Sequence, residues 1–278
     1  MFTTALLPLS FREPQWRLKA MLAFLGNFDT ERVVLLHVST GPVTTGTRTR
    51  MERLRESLVD MEELPEGLTV DTRVRSGSPA FEIATTGREE GADFVYFPWK
   101  RKNWIQRTLV GSTTKDVIRL SNLPIFVFKQ RTILREEGPF RILYPTNFKD
   151  TDRYVVPYLQ YPGLAAEELV LLNVHERAPD PTAESRQERW CSENLTRLAK
   201  EVESNFSEVA PSAATGNPRK MIPRTARREG IGLVILGKSD EESALSAMMG
   251  SVAEEVANSA PCSVFIVSRA YLPKEHAE

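Results

Sequence analysis

The stretch Glu31-Arg-Val-Val-Leu-Leu-His-Val38 recurs as Glu167-Glu-Leu-Val-Leu-Leu-Asn-Val174. Each is an unbroken apolar run behind an acidic start, the pattern of a strand buried on both faces. Other landmarks repeat around them in the same order. Leu6-Leu7-Pro8-Leu9-Ser10 returns as Leu143-Tyr144-Pro145-Thr146-Asn147, Gly77-Ser78-Pro79 as Gly216-Asn217-Pro218, and Gly111-Ser112 as Gly250-Ser251. The offsets stay between 136 and 139 residues. A period this long exceeds any solenoid unit, so each copy is expected to be a complete domain with its own core.

Within the first copy, strands are expected at Thr4–Leu9, Val33–Val38, Leu68–Val74, Phe94–Phe97 and Ile125–Phe128. Helical spacing links Leu18, Met21, Leu22 and Leu25, then Met51, Leu54, Leu58 and Met61. Gly77-Ser78-Pro79 opens a third helix, and a fourth is expected from Ser112 to Leu120. The second copy places strands near Arg141–Tyr144, Leu169–Val174, Ser207–Ala210, Leu233–Leu236 and Val264–Val267. Pro157 and Pro223 fall inside its helices and weaken the helical reading there. Strands alternating with helices make βαβ units and a parallel sheet covered on both faces. The fold class is therefore α/β: two tandem, doubly wound, five-stranded parallel-sheet domains. They are bounded as 1–130 and 140–270, with a charged linker at 131–139 and a tail at 271–278. In such sheets ligands bind beyond the carboxyl ends of the strands, where strand order reverses.

Composition narrows the function classes. Hydrophobic content of 41% and charged content of 26% suit a soluble globular protein, and no apolar run is long enough for a bilayer span. A net charge of −1 gives no general attraction to nucleic acid or membrane, and neither is expected as a partner. Two cysteines fit a reducing cytoplasm. The three histidines and two cysteines show no zinc spacing, so no metal site is expected. There is no G-x-S-x-G elbow and no catalytic constellation, so an enzyme is not expected.

The C-terminal third of each copy carries a family resemblance. It comprises Leu233-Val-Ile-Leu-Gly-Lys-Ser, Gly250-Ser-Val-Ala-Glu-Glu-Val and Ala260-Pro-Cys-Ser-Val-Phe-Ile-Val267 in copy two. Copy one has Phe94-Val-Tyr-Phe-Pro-Trp-Lys, Gly111-Ser-Thr-Thr-Lys-Asp-Val and Leu123-Pro-Ile-Phe-Val-Phe128. These segments resemble the universal stress protein family, in a tandem form of the adenine nucleotide alpha hydrolase-like fold. The resemblance implies a stress-response binding or regulatory protein. It also implies that the fifth strands, Ile125–Phe128 and Val264–Val267, pair about a pseudo-twofold. Further association into a homodimer and the identity of a protein partner stay open.

The family's ATP-binding members resemble a strand followed by Gly-x2-Gly-x9-Gly-Ser/Thr, with an aspartate after the first strand. Glycines let the backbone approach phosphate, and Gly-Ser opens a helix whose free N–H groups attract anions. Neither copy has the full pattern. Copy two keeps Gly237, Gly250 and Ser251, has Asp240 at the second glycine and Asn147 at the aspartate. Its implied nucleotide site comprises Pro145, Asn147, Val174, Leu236, Gly237, Asp240, Gly250, Ser251 and Val252. Copy one keeps Gly111 and Ser112, with Ser10 at the aspartate, Pro98 at the first glycine and Arg101 at the second. Its degenerate site comprises Ser10, Arg101, Gly111 and Ser112. No cofactor is required. ATP, ADP or AMP is the candidate ligand, with Mg²⁺ accompanying ATP. A scaffold with nucleotide binding lost is the alternative, and weak ATP hydrolysis or adenylation the third reading.

Four further signals could mislead. Gly232-Leu-Val-Ile-Leu-Gly-Lys-Ser239 matches a P-loop pattern, but its middle reads as a strand, which cannot curl round phosphate. Trp99, Lys100, Arg101, Lys102, Trp104 and Arg107 could contact phosphates, yet closing the first cleft is the favoured reading. His37 lacks an Asp or Ser partner and reads as a satisfied polar group, and the arginines near 219–228 as a solvated helix face.

Overall fold

The computed structural model describes residues 1–62, 64–98, 117, 122–129, 140–238 and 251–268. The tryptophan-rich loop with Arg101, the Gly111-Ser112 pair and most of the expected fourth helix of copy one lie outside them. So do residues 131–139, Asp240, Gly250 and the tail. The chain divides into two compact units.

The first unit contains β1 (Thr4–Leu9), β2 (Arg32–Ser39), β3 (Thr69–Ser76), β4 (Phe94–Pro98) and β5 (Ile125–Phe128). Its helices are α1 (Gln15–Phe24), α2 (Thr45–Val59) and α3 (Pro79–Glu89). The strands lie in the order β3-β2-β1-β4-β5, all parallel. The second unit contains β6 (Arg141–Thr146), β7 (Glu168–His175), β8 (Glu208–Thr215), β9 (Leu233–Lys238) and β10 (Ser263–Ser268). Its helices are α4 (Asp152–Leu159), α5 (Pro181–Val202), α6 (Pro218–Arg228) and α7 (Ser251–Ser259). The order β8-β7-β6-β9-β10, again all parallel, repeats the first unit. Strand order reverses at β1 in one unit and β6 in the other, as the doubly wound reading requires.

The apolar runs end where burial ends. Val33, Val34, Leu35 and Leu36 are all fully buried, as are Leu169, Leu171 and Leu172. A strand second from the edge of a parallel sheet is covered above and below, so every residue along it must be apolar. The first unit's core is aromatic. Phe126 meets Tyr96, Phe28, Phe24 and Phe94 at centroid distances of 5.1, 5.5, 5.9 and 6.1 Å. Tyr96 is fully buried, and its hydroxyl donates to the Met21 carbonyl at 3.2 Å. Burial raises that hydroxyl's pKa well above 10.0. The second unit is mainly aliphatic on its α6–α7 face, where Leu143, Leu172, Ile222, Val234, Leu236, Val256 and Ile266 pack together.

Both prolines that interrupt the helical pattern sit inside helices, Pro157 in α4 and Pro223 in α6. Each is the sixth residue of its helix, so it removes one backbone bond near the start of the ladder. β8 runs on to Thr215, past the expected end at Ala210. Pro211 stands opposite Leu171 of β7, its only neighbouring strand among the described residues, and an edge strand tolerates a residue without an N–H. The repeated glycine turns are genuine needs for glycine. Gly77 and Gly216 have φ of 148° and 138°, and their N–H groups donate to Ser39 O and His175 O.

A charge network braces the first unit. Arg32 pairs with Asp71 at 2.8 Å and with Glu90 at 2.7 Å, and Arg73 also donates to Glu90. Burial alone would raise the Glu90 pKa, but hydrogen bonds from Arg73 and Arg32 outweigh it and hold it below 4.5. A depressed carboxylate stabilises the fold above its unfolded pKa and loses that contribution as pH falls through its folded value. Glu90→Gln is therefore expected to cost about 1 kcal/mol at neutral pH, the two half-exposed arginines keeping the figure small. Urea midpoints of parent and variant should converge as pH drops below 4.5. An undiminished gap in acid would refute the ionic account.

Among the described residues, no helix is long and apolar enough to cross a membrane.

Candidate ligand-binding site

The carboxyl ends of β6, β7 and β9 surround a cavity of about 160 Å³ in the second unit. Pro145 and Asn147 reach it from the end of β6, Leu172 and Val174 from β7, and Leu236 and Gly237 from β9. Pro218 and Ile222 of α6, Val252 of α7, and Thr146 and Thr151 complete the wall. Six residues expected from the sequence, Pro145, Asn147, Val174, Leu236, Gly237 and Val252, thus meet around one cavity. Ser251 opens α7 beside it. Pro218 was legible as the last residue of the repeated Gly-x-Pro turn. Thr151, Leu172 and Ile222 had no local signal. The wall is mainly apolar, with its polar groups near the strand ends, the usual character of a small-molecule site.

Hydrogen bonds hold the β6 end in place. Tyr144 and Thr146 hydroxyls both donate to Asp152 Oδ1, at 2.6 and 2.7 Å. Buried Asn173 donates to the Thr146 carbonyl at 3.0 Å, and His175 Nδ1 donates to Asn173 Oδ1 at 3.3 Å. Burial first, and then the Asp152 carboxylate, push the Tyr144 hydroxyl well above 10.0. Phe148 follows in the left-handed region at φ 59°, and Phe11 takes φ 60° at the matching place in the first unit. A bulky residue there is strained and needs its surroundings to hold it. Phe148 packs edge-on against Trp190 at 5.2 Å, and Phe11 lies 4.2 Å from His37 with Arg50 over its ring at 4.5 Å.

Gly237 has a packing role. A Cβ built there would lie 2.7 Å from Thr151 Cβ and 3.1 Å from Val155 Cγ2, so β9 and α4 approach too closely for any side chain. Gly237→Ala is expected to destabilise the second unit by about 1–3 kcal/mol through overpacking. A urea melt without ligand reads this, and an unchanged midpoint would show that α4 yields freely.

The first unit treats the equivalent position differently. Ser10 donates from its hydroxyl to Glu13 Oε1 at 2.8 Å and from its N–H to Glu13 Oε2 at 2.9 Å. The Glu13 carboxylate also accepts from Arg12 N at 3.1 Å. Ser10 is thus engaged by its own loop. His37 Nδ1 donates to the Leu9 carbonyl at 3.1 Å, a satisfied strand-end histidine.

Two of the other signals fall on described residues. Leu233–Lys238 is strand β9, incompatible with a P-loop. Arg219, Lys220, Arg224, Arg227 and Arg228 are exposed on α6. Among the described residues, no cluster of three or more His, Cys, Asp or Glu side chains is placed to hold a metal.

Two doubly wound parallel domains along one chain define an α/β class in which a crevice forms at the switch point, and in the second unit the cavity lies there. The sequence pattern of the universal stress protein family matches residues 1–129 and again 140–268, and the chain belongs to that family. It is 29% identical over 89 residues to the universal stress protein MJ0577 of Methanocaldococcus jannaschii, a match covering 32% of this chain and 52% of that protein. The chain therefore spans about half the length of that curated relative. In fold it is similar to a universal stress protein from Archaeoglobus fulgidus, with a TM-score of 0.70 at 19% identity, covering 96% of this chain and 97% of that one. It is also similar to the functionally unknown protein PA1789 of Pseudomonas aeruginosa, with a TM-score of 0.74 at 17% identity over 96% and 92% of the two chains.

Proposed function

We propose that this protein is a stress-response binding and regulatory protein whose second domain takes up an adenine nucleotide. The observation that carries the reading is the convergence of Pro145, Asn147, Val174, Leu236, Gly237 and Val252 on one apolar cavity at the switch point. That volume suits a compact ring system, with the remainder of the ligand extending from the mouth. Ser251 heads α7 beside the cavity, and the family pattern's Gly-Ser pair at such a helix N-terminus favours phosphate there. By the family pattern Asp240 takes the place of the second glycine, and a carboxylate there favours nucleotides of lower charge or with Mg²⁺ bound. The reading is one of binding and regulation, without turnover.

The first domain supports a different role. Its Ser10 is consumed by Glu13, which favours a structural or protein-interaction function for that half. The test is isothermal titration of ATP, ADP and AMP into ligand-stripped protein, with and without Mg²⁺. Binding near one per chain agrees with a single working site. No heat and no thermal shift with any nucleotide would overturn the reading in favour of a scaffold.

A further inference from the structure

Helix α6 carries a cationic stripe that its folding does not call for. Lys220, Arg224, Arg227 and Arg228 follow at i, i+4, i+7 and i+8 and are all exposed. They therefore share one face and extend for about 12 Å at 1.5 Å per residue. Among the described residues Lys220, Arg224 and Arg227 make no ion pair, and Arg228 pairs only with its chain neighbour Glu229, at 2.7 Å. The dipole favours Arg227 and Arg228 in the last turn but opposes Arg219 and Lys220 in the first, where there is no acidic residue. Like charges at i, i+4, Lys220 with Arg224 and Arg224 with Arg228, repel further.

The matching helix of the first unit shows what the fold requires. α3 buries Ile83, Ala84, Thr86 and Gly87, and α6 buries Ile222, Pro223, Thr225 and Ala226 at the same four places. At the places of the four stripe cations, α3 has Phe81, Thr85, Arg88 and Glu89, with no net charge. The buried positions thus keep one character in both units, and the exposed ones turn cationic in the second alone. We propose that this face of α6 docks an acidic segment of a partner protein. Complementary charge sets the sign of the partner. α6 has no aromatic side chain on which a base could stack, and the chain's net charge of −1 works against nucleic acid. Ile222 and Ala226, on its apolar side, are committed to the core, so the helix cannot enter a lipid surface. An acidic helix with the same spacing can meet all four cations. The inference is independent of nucleotide binding.

The probe is a fluorescent helical peptide with glutamates at i, i+4, i+7 and i+8, titrated with the full chain by anisotropy at low and at physiological salt. The parent is expected to bind it, less tightly as salt rises, and to prefer it to a peptide of equal composition with the glutamates spread round the helix. Arg224→Glu combined with Arg228→Glu should weaken binding by about tenfold or more, and circular dichroism checks that this variant folds. No binding at low salt, equal affinity for the two peptides, or equal affinity of parent and variant overturns the proposal. Tighter binding of a single-stranded oligonucleotide or of phosphatidylserine vesicles than of the peptide also overturns it, making the face a nucleic-acid or membrane contact. A salt-sensitive dimer of the parent, lost in the variant, would put a second copy there instead.

Discussion

Val174→Trp is expected to weaken the proposed nucleotide binding of the second domain by close to a hundredfold. Val174 is the residue of β7 that reaches the cavity from a partly exposed position at the strand's carboxyl end. An indole there would occupy much of the roughly 160 Å³ available. The loss follows from area. A ring burying on the order of 100 Å² contributes about 2.5 kcal/mol at ~25 cal/mol per Å². Removing that contribution weakens binding by close to a hundredfold. Val174 also packs against the core cluster, so the larger ring is expected to cost about 1–3 kcal/mol of stability, and a urea melt run beside the titration separates that loss from lost binding. Titration with the tightest-binding adenine nucleotide checks the prediction. Unchanged affinity would place the ligand elsewhere.

Phe126→Ala is expected to be the most damaging single substitution among those considered, costing about 3–5 kcal/mol. Phe126 lies on β5, is fully buried, and touches four other rings within 6.1 Å. Deleting it removes the transfer free energy of a phenyl group and leaves a hole lined by rings, which cannot collapse without leaving their own packed positions. Edge-to-face geometry adds a smaller increment, since Tyr96 meets Phe126 at 83° and Phe28 meets it at 70°. Urea denaturation at neutral pH measures the effect. A loss below about 1 kcal/mol would mean that the cluster relaxes to fill the space. Phe126→Leu, which keeps most of the volume, should recover much of the stability and so separates cavity formation from loss of the ring.

The two units answer the same evolutionary plan with different chemistry at one position. In the first, Glu13 folds back and satisfies Ser10 and the neighbouring backbone. In the second, the matching loop is held by hydrogen bonds among Thr146, Asp152, Phe148, Asn147 and Lys149. Both loops place a phenylalanine in the left-handed region, at Phe11 and Phe148. The shared strain argues that the loop shape is kept even where the binding groups have diverged.

Much of the fold was legible in one dimension. The runs Val33–Val38 and Leu169–Val174 announced buried parallel strands, because only a strand covered on both faces excludes polar residues so completely. The constant offset announced the duplication, and the alternation of runs and helical periods announced the winding. From these the switch point followed, while the individual residues of the cavity's wall were named only through the family resemblance. What remained depended on close approach between distant parts of the chain. Gly237 is required by Thr151 and Val155, residues that no motif connects to it. Ile222 and Leu172 reach the same cavity only through the stacking of α6 on the sheet. β8 continues beyond Pro211 because, among the described residues, it has a neighbour on one side alone. The orientation of the Asn147 amide is set by a single backbone N–H two residues away. Periodicity and composition report the average surroundings of a segment, whereas a site is made by individual atoms brought within hydrogen-bond or van der Waals distance, and only the packed chain sets those distances.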